Sequence, residues 1–357
     1  MNNMNNMNNM NNMNNMNNIY NKSLNIKNQQ DLLEQQELIN KEMIKQTNNY
    51  KYKKYLLISS VGDESYHKKC EWNYQDKNYD FFLVYYEPHK NVKKSYYKKN
   101  SDFYLHLYGK KMKHSYHVFQ LDLIAKYDYI FVLDNDIKIS GKDISRLFTL
   151  ATKLNANLLA PSAKIQNTNH EDVISIVKFY YENYKNVKGN FWKLQKILPV
   201  NLINTYNEIL KYSSWVQMLQ LGPIKDKYIK CTNLIENGVC MIKRQILDKF
   251  RVNLNLMKQF NSGIVFDSIV ANYSNFNKIF ICDYIYYQHM IPYRNKEEDW
   301  KEAKRLLNYI VKYKIFKRKF IELWPNVIKI KIFNLKDYNK HKNDCDYLDH
   351  YMNIIKE

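Results

Sequence analysis

The chain has 357 residues; roughly the first 50 read as a polar tail, and the remainder suffices for one large α/β domain or two modest ones. With 45% hydrophobic and 15% aromatic residues it can bury a sizeable core, which excludes global disorder. The formal charge of +20 admits a polyanionic partner. The lysines, however, are spread along most of the chain rather than gathered in one basic block. The preferred reading is a plain compositional bias toward Lys, Asn, Ile and Tyr, whose mildly positive surface would still favour a phosphate-bearing substrate. Seven glycines include no pair five apart and no G-x-G, so neither a Walker A loop nor a dinucleotide fingerprint exists. Five scattered cysteines form no C-x-x-C, which excludes a structural zinc ribbon and thioredoxin-like chemistry. No apolar run reaches the length of a membrane span, and the start lacks the regions of a signal peptide. The expectation is a soluble, cytoplasmic protein.

Met1 to Asn18 is a Met-Asn-Asn repeat without charge or clustered apolar groups, so it cannot offset the entropy of ordering itself. Asn28 to Gln46 has helical period, with Leu32, Ile39 and Met43 on one face, and reads as a linker helix within a 1–50 segment. From Tyr50 the texture changes. Continuous apolar runs at Tyr55–Ser60, Tyr79–Tyr86 and Tyr127–Leu133 read as buried strands, stopped by Gly62, Glu87-Pro88 and Asp134 respectively. Leu158–Ala160 is a further short strand, expected to stop at Pro161. Strands of this kind alternating with helical patterns such as Asp143–Leu154 predict a mostly parallel sheet with helices on both faces. Residues 171–227 read as a helix-rich insertion and Lys278–His289 as a late strand. The main domain is placed at 51–290, followed by a helical, Lys- and aromatic-rich extension over 291–357.

The strongest local signal is Asp134-Asn135-Asp136. In an extended chain residues i and i+2 point the same way, so both carboxylates can project from the strand's end. In open α/β sheets that is where ligands bind. Two close carboxylates repel and are best tolerated beside a cation. Mn²⁺ or Mg²⁺ bridging a diphosphate would suit them; otherwise the pair is an ordinary acidic turn. Lys110 and Lys111 could neutralise a diphosphate, though in so lysine-rich a chain plain surface lysines are the preferred reading. Trp72 and Trp215 could stack on a sugar, but core packing is preferred for both.

The order of these landmarks resembles the glycosyltransferases of GT-A fold, and within them the domain-of-unknown-function 707 family. The stretches that carry the resemblance are Lys54–Trp72, Tyr79–Tyr86, Tyr127–Phe148, Ala160–Ser162, Tyr228–Gly238, Ser262–Asp267 and Ile281–His289. Asn135 and Gly238 depart from the pattern of the family. The resemblance implies a GT-A-like sheet and a nucleotide-sugar donor whose sugar passes to an unidentified acceptor hydroxyl. It implies that the β-strand end at Gly62 and Asp63 takes the nucleotide, with Asp134 near the donor ribose or metal. Asp136 and His289 would be metal ligands, and Asp267 would be the base at the acceptor side. Glu236 and Gly238 would lie toward the acceptor. Each has a plainer alternative: Asp267 as a helix cap, His289 as a hydrogen-bonded surface residue, Glu236 as a structural group. Two other classes stay open, a transferase fold kept as a binding module and a nucleic-acid binder using Tyr309–Phe333.

Overall fold

A computed structural model describes residues 26–88, 94–109, 111–183, 186, 191–212, 228–231, 235–236, 238–251, 273–274, 278–292, 301, 305 and 331–334. It divides into two units, Met1–Lys51 and Tyr52–Glu357. In the first, helix α1 spans Ile26–Thr47 and takes in the Asn28–Gln46 stretch whose periodicity predicts a helix. The Met-Asn-Asn repeat lies outside the described residues. Among the described residues no helix is long and apolar enough to cross a membrane.

The second unit is built on a sheet whose ten described strands are β1 (Tyr55–Val61), β2 (Tyr79–Tyr85), β3 (Phe103–His106), β4 (Tyr129–Leu133), β5 (Ile137–Lys138), β6 (Leu158–Ala163), β7 (Tyr228–Cys231), β8 (Val239–Lys243), β9 (Ile279–His289) and β10 (Lys331–Asn334). Their order is β10-β7-β9-β6-β8-β4-β1-β2-β3, with β5 paired to β9. β1 pairs in parallel with β2 and β4, and β2 with β3. β8 runs antiparallel to both β4 and β6, and β6 is parallel to β9. Thus β1–β4, β6, β9 and β10 point one way and β5, β7 and β8 the other, a mixed α/β sheet that is mostly parallel in direction.

The continuous apolar runs follow from burial on both faces. Leu57, Phe81 and Phe131 face one side and Leu56, Phe82 and Ile130 the other, and all six are fully buried. One of those sides carries the main core, to which helix α4 (Gly141–Leu154) adds Ile144, Leu147, Phe148 and Ala151. Ser140 caps that helix by accepting from the Asp143 N–H, and Asn155 ends it in the left-handed region at φ 47°. The core is reached from the 171–227 segment as well: Ile176 of α5 (His170–Glu182) and Tyr206 of α6 (Ile203–Tyr212) belong to it.

One expectation needs correction. β6 runs on through Pro161, because β9 bulges between Cys282 and Tyr286 at this point and the ladder resumes at Ser162. After Glu236 the chain enters β8, which is followed by helix α7 (Arg244–Phe250). The C-terminal extension lies largely outside the described residues; of those described, Lys301 and Arg305 are helical and Lys331–Asn334 is a strand paired with β7. The Tyr309–Phe333 surface falls almost wholly outside them too.

Trp72 is core, as preferred: it is fully buried and its Nε1–H donates to the Ile139 carbonyl at 2.8 Å. Trp215 lies outside the described residues. Trp72→Phe removes that donor and leaves a buried carbonyl unpaired, so it is expected to cost about 1–3 kcal/mol. Urea unfolding should show a lower midpoint with an unchanged slope.

Candidate active site

The parallel strands deliver their carboxyl ends to one edge of the sheet, and the polar residues collect there. At the end of β1 the Gly62 N–H donates to Ser65 Oγ at 2.7 Å, and the Asp63 N–H to Glu87 Oε1 at 2.6 Å. A Cβ on Gly62 would collide with the Glu87 carboxylate and lie 2.8 Å from the Tyr86 hydroxyl, so the loop packs this tightly only around glycine. Asp63 Oδ1 accepts from the hydroxyl of Tyr97, on helix α2 (Lys94–Lys99), at 3.2 Å and from the Tyr85 hydroxyl at 3.3 Å. Burial, with the Asp63 charge next, pushes the Tyr97 phenol well above its ordinary range, so it remains a donor.

β4 lies between β1 and β8, and its end carries the acidic triplet. The Asp134 N–H donates to the Gly238 carbonyl at 2.8 Å, which ties the triplet to the chain entering β8. Asn135 turns the other way: its Nδ2 donates to Tyr86 Oη at 3.0 Å and Ser65 Oγ at 3.2 Å, and its carbonyl accepts from the Tyr66 N–H. The middle residue thereby fastens the acidic turn to the Gly62–Asp63 loop. Asp136 faces β9. Its Oδ2 lies 3.4 Å from His289 Nδ1, and its carbonyl accepts from the Met290 N–H at 2.9 Å. The register that places Ile137 opposite His289 brings these two together.

The chain before β8 closes the cluster. A Cβ on Gly238 would collide with the Asp134 carboxylate and lie 3.2 Å from Glu236 Oε1. Glu236 is itself buried, and Gly238 sits between the two acids. Lys111, the first residue of helix α3 (Lys111–Phe119), forms an ion pair with Asp134 Oδ1. Burial lowers the affinity of its ammonium for the proton, but Asp134, then Glu236 and Asp136, outweigh burial and hold its pKa above the ordinary value. Burial also pushes the Asp136 carboxyl up. His289 and Lys111 oppose that shift and Asp134 adds to it.

Seven of the predicted site residues therefore converge: Asp134, Asp136, His289, Glu236 and Gly238 at the acidic cluster, with Gly62–Asp63 joined to it through Ser65 and Asn135. Asp267 lies outside the described residues. Sequence reading gave Asn135, Glu87 and Tyr97 no site role, and it raised Lys111 against a diphosphate only to prefer a plain surface lysine. Glu87 had a faint signal in Glu-Pro after a strand.

The donor set suits a hard divalent ion: carboxylate oxygens and one imidazole, with Asp136 and His289 near enough to share a ligand. Among the described residues no group of three such side chains stands assembled, and Asp134 is paired with Lys111.

No protein-family model matches this chain, and no curated protein matches it. Solved structures do. Staphylococcus aureus TarS matches at TM-score 0.41 and 11% identity, over 72% of this chain and 39% of TarS. TarS 1-349 in complex with UDP-GlcNAc matches at 0.40 and 9%, over 72% and 66% of the two chains. Glucosyl-3-phosphoglycerate synthase from Mycobacterium tuberculosis, in complex with Mn²⁺ and UDP-glucose, matches at 0.35 and 8%, over 75% and 81%. Similarity at this level assigns no activity.

Proposed function

We propose that this chain is a GT-A-type glycosyltransferase that uses a divalent ion to move a sugar from a nucleotide-sugar donor to an acceptor hydroxyl. The observation that carries the reading is the meeting of Asp136 and His289 at the carboxyl edge of the sheet, beside the Gly62–Asp63 loop.

Asp136 and His289, with Asp134 beside them, would hold Mn²⁺ or Mg²⁺. Such an ion supplies Lewis-acid stabilisation of the negative charge on a departing nucleoside diphosphate. Asp63, its carboxylate oriented by two tyrosine hydroxyls, offers acceptor atoms to the N–H groups of a base or to ribose hydroxyls. Lys111 stands where it can meet diphosphate charge. Asp267 is assigned as the base that takes the acceptor proton on the resemblance alone.

The test is release of nucleoside diphosphate from a panel of nucleotide sugars, followed by chromatography, with Mn²⁺ and with chelator. Release only with metal supports the reading. Gly238 supplies a second check. Its backbone lies outside the left-handed region, so what it provides is space. Gly238→Ala pushes on the Asp134 carboxylate and is expected to weaken donor binding about tenfold, roughly 1.4 kcal/mol. Calorimetric titration measures it, and little change in melting temperature should accompany it.

A further inference from the structure

We infer that Lys111 is a built-in cation that competes with the divalent ion for Asp134, so that metal entry requires the ammonium to leave. The inference deepens the reading of the acidic strand end and rests on it. Asp134 and Asp136 do not face a common point. Asp136 is directed to His289, whereas Asp134 Oδ1 is bound by Lys111, both side chains of that pair being only about a quarter exposed.

Asp134 has little room to give way. Its N–H is held by the Gly238 carbonyl, and its other carboxylate oxygen occupies the space that a Cβ on Gly238 would take. The root of Lys111 is fixed as well. Gly109, at φ +139°, turns the chain into α3, and that helix is anchored by buried Met112, Tyr116 and Phe119. A further tie runs from His114 Nδ1 to Ser60 Oγ of β1 at 3.0 Å. What can move is the flexible four-carbon stem of the lysine. A divalent ion and an ammonium on one carboxylate repel each other, so occupancy by one disfavours the other, and the effect is reciprocal.

The test is Mn²⁺ titration of the full chain without nucleotide, read from loss of the free-ion electron paramagnetic resonance signal. Lys111→Met is expected to bind Mn²⁺ about tenfold more tightly or better than the unaltered chain. Lys113→Met, a charge removed elsewhere on the same helix, is expected to leave affinity unchanged. Equal or weaker binding in Lys111→Met overturns the inference. Should that variant fail to fold, the unaltered chain decides: acetylation of Lys111, followed by mass spectrometry, must rise when Mn²⁺ is added while Lys113 stays constant. A constant Lys111 signal overturns it. Neither readout needs a nucleotide, so the two readings fail separately. Tighter Mn²⁺ binding in Lys111→Met without any nucleotide-sugar binding defeats the transferase and leaves the competition standing. Metal-dependent nucleotide binding with unchanged Mn²⁺ affinity defeats the competition alone.

Discussion

Asp136→Ala is expected to reduce sugar transfer by about a thousandfold or more while the protein still folds, because the charge stabilisation assigned to this position acts on the transition state. The carboxylate lies among Asp134, Lys111 and His289, and burial already disfavours its charge. Its removal takes away both a repulsion and a buried charge, so the melting temperature should hold or rise slightly. Steady-state turnover together with a thermal melt of the same sample checks the two halves of the prediction. Asp134→Ala should behave differently. It strips Lys111 of its partner and should weaken donor binding as well as turnover. Unchanged turnover in Asp136→Ala would remove the metal reading of the strand end.

The second large effect is on stability in acid. His67 is buried among Trp72, Phe81 and Tyr97, with ring centroids 5.4 to 6.3 Å away, and neither of its ring nitrogens has a hydrogen-bond partner among the described residues. Burial, helped by the Lys68 charge, lowers its pKa to about 4. His114 is also lowered to about 4, by burial first and Lys113 second, against a backbone hydrogen bond at Leu107 that raises it. In the unfolded chain both rings take a proton as pH falls below about 6.5. In the folded chain they resist until about 4, so the unfolded state binds more protons throughout that window and stability falls with pH. Each histidine contributes a loss on the order of 3 kcal/mol by pH 4. Urea unfolding at pH 7 and at pH 4.5 measures the drop. His67→Phe removes an unpaired polar group, so it should flatten the profile and leave stability at pH 7 no lower. A flat profile in the unaltered chain would contradict this account.

How much of this was legible in sequence depended on how locally each feature is encoded. β1, β2, β4 and β9 announce themselves because burial on both faces demands uninterrupted apolar residues. Asp134 and Asp136 stand out for the same reason, being acids that abruptly end such a run. β3 has only four residues, too short to show a period, and the antiparallel pairing of β8 to both β4 and β6 is not encoded in its own residues. Pro161 read as a stop because a proline lacks its N–H. The compensating bulge lies in β9, far away in the chain. Lys111 was a candidate in the sequence but could not be told from a plain surface lysine until helix α3 was set beside β4. Asn135 proves to be the link between the acidic turn and the Gly62–Asp63 loop. Its role depends on Ser65 and Tyr86, which no spacing rule connects to it.

The most direct test of the central claim is a thermal-shift titration of the unaltered full chain with nucleoside diphosphates and nucleotide sugars, each with Mn²⁺ and with chelator. A ligand that binds only the folded state adds about 2.7 kcal/mol of apparent stability at a hundredfold its dissociation constant, a shift of several degrees in a domain of this size. The account predicts that at least one nucleotide sugar raises the melting temperature with Mn²⁺ and fails to do so with chelator. If no nucleotide shifts the melt in a metal-dependent way, the acidic strand end is not a donor site, and the chain is better understood as a transferase-like fold that only binds.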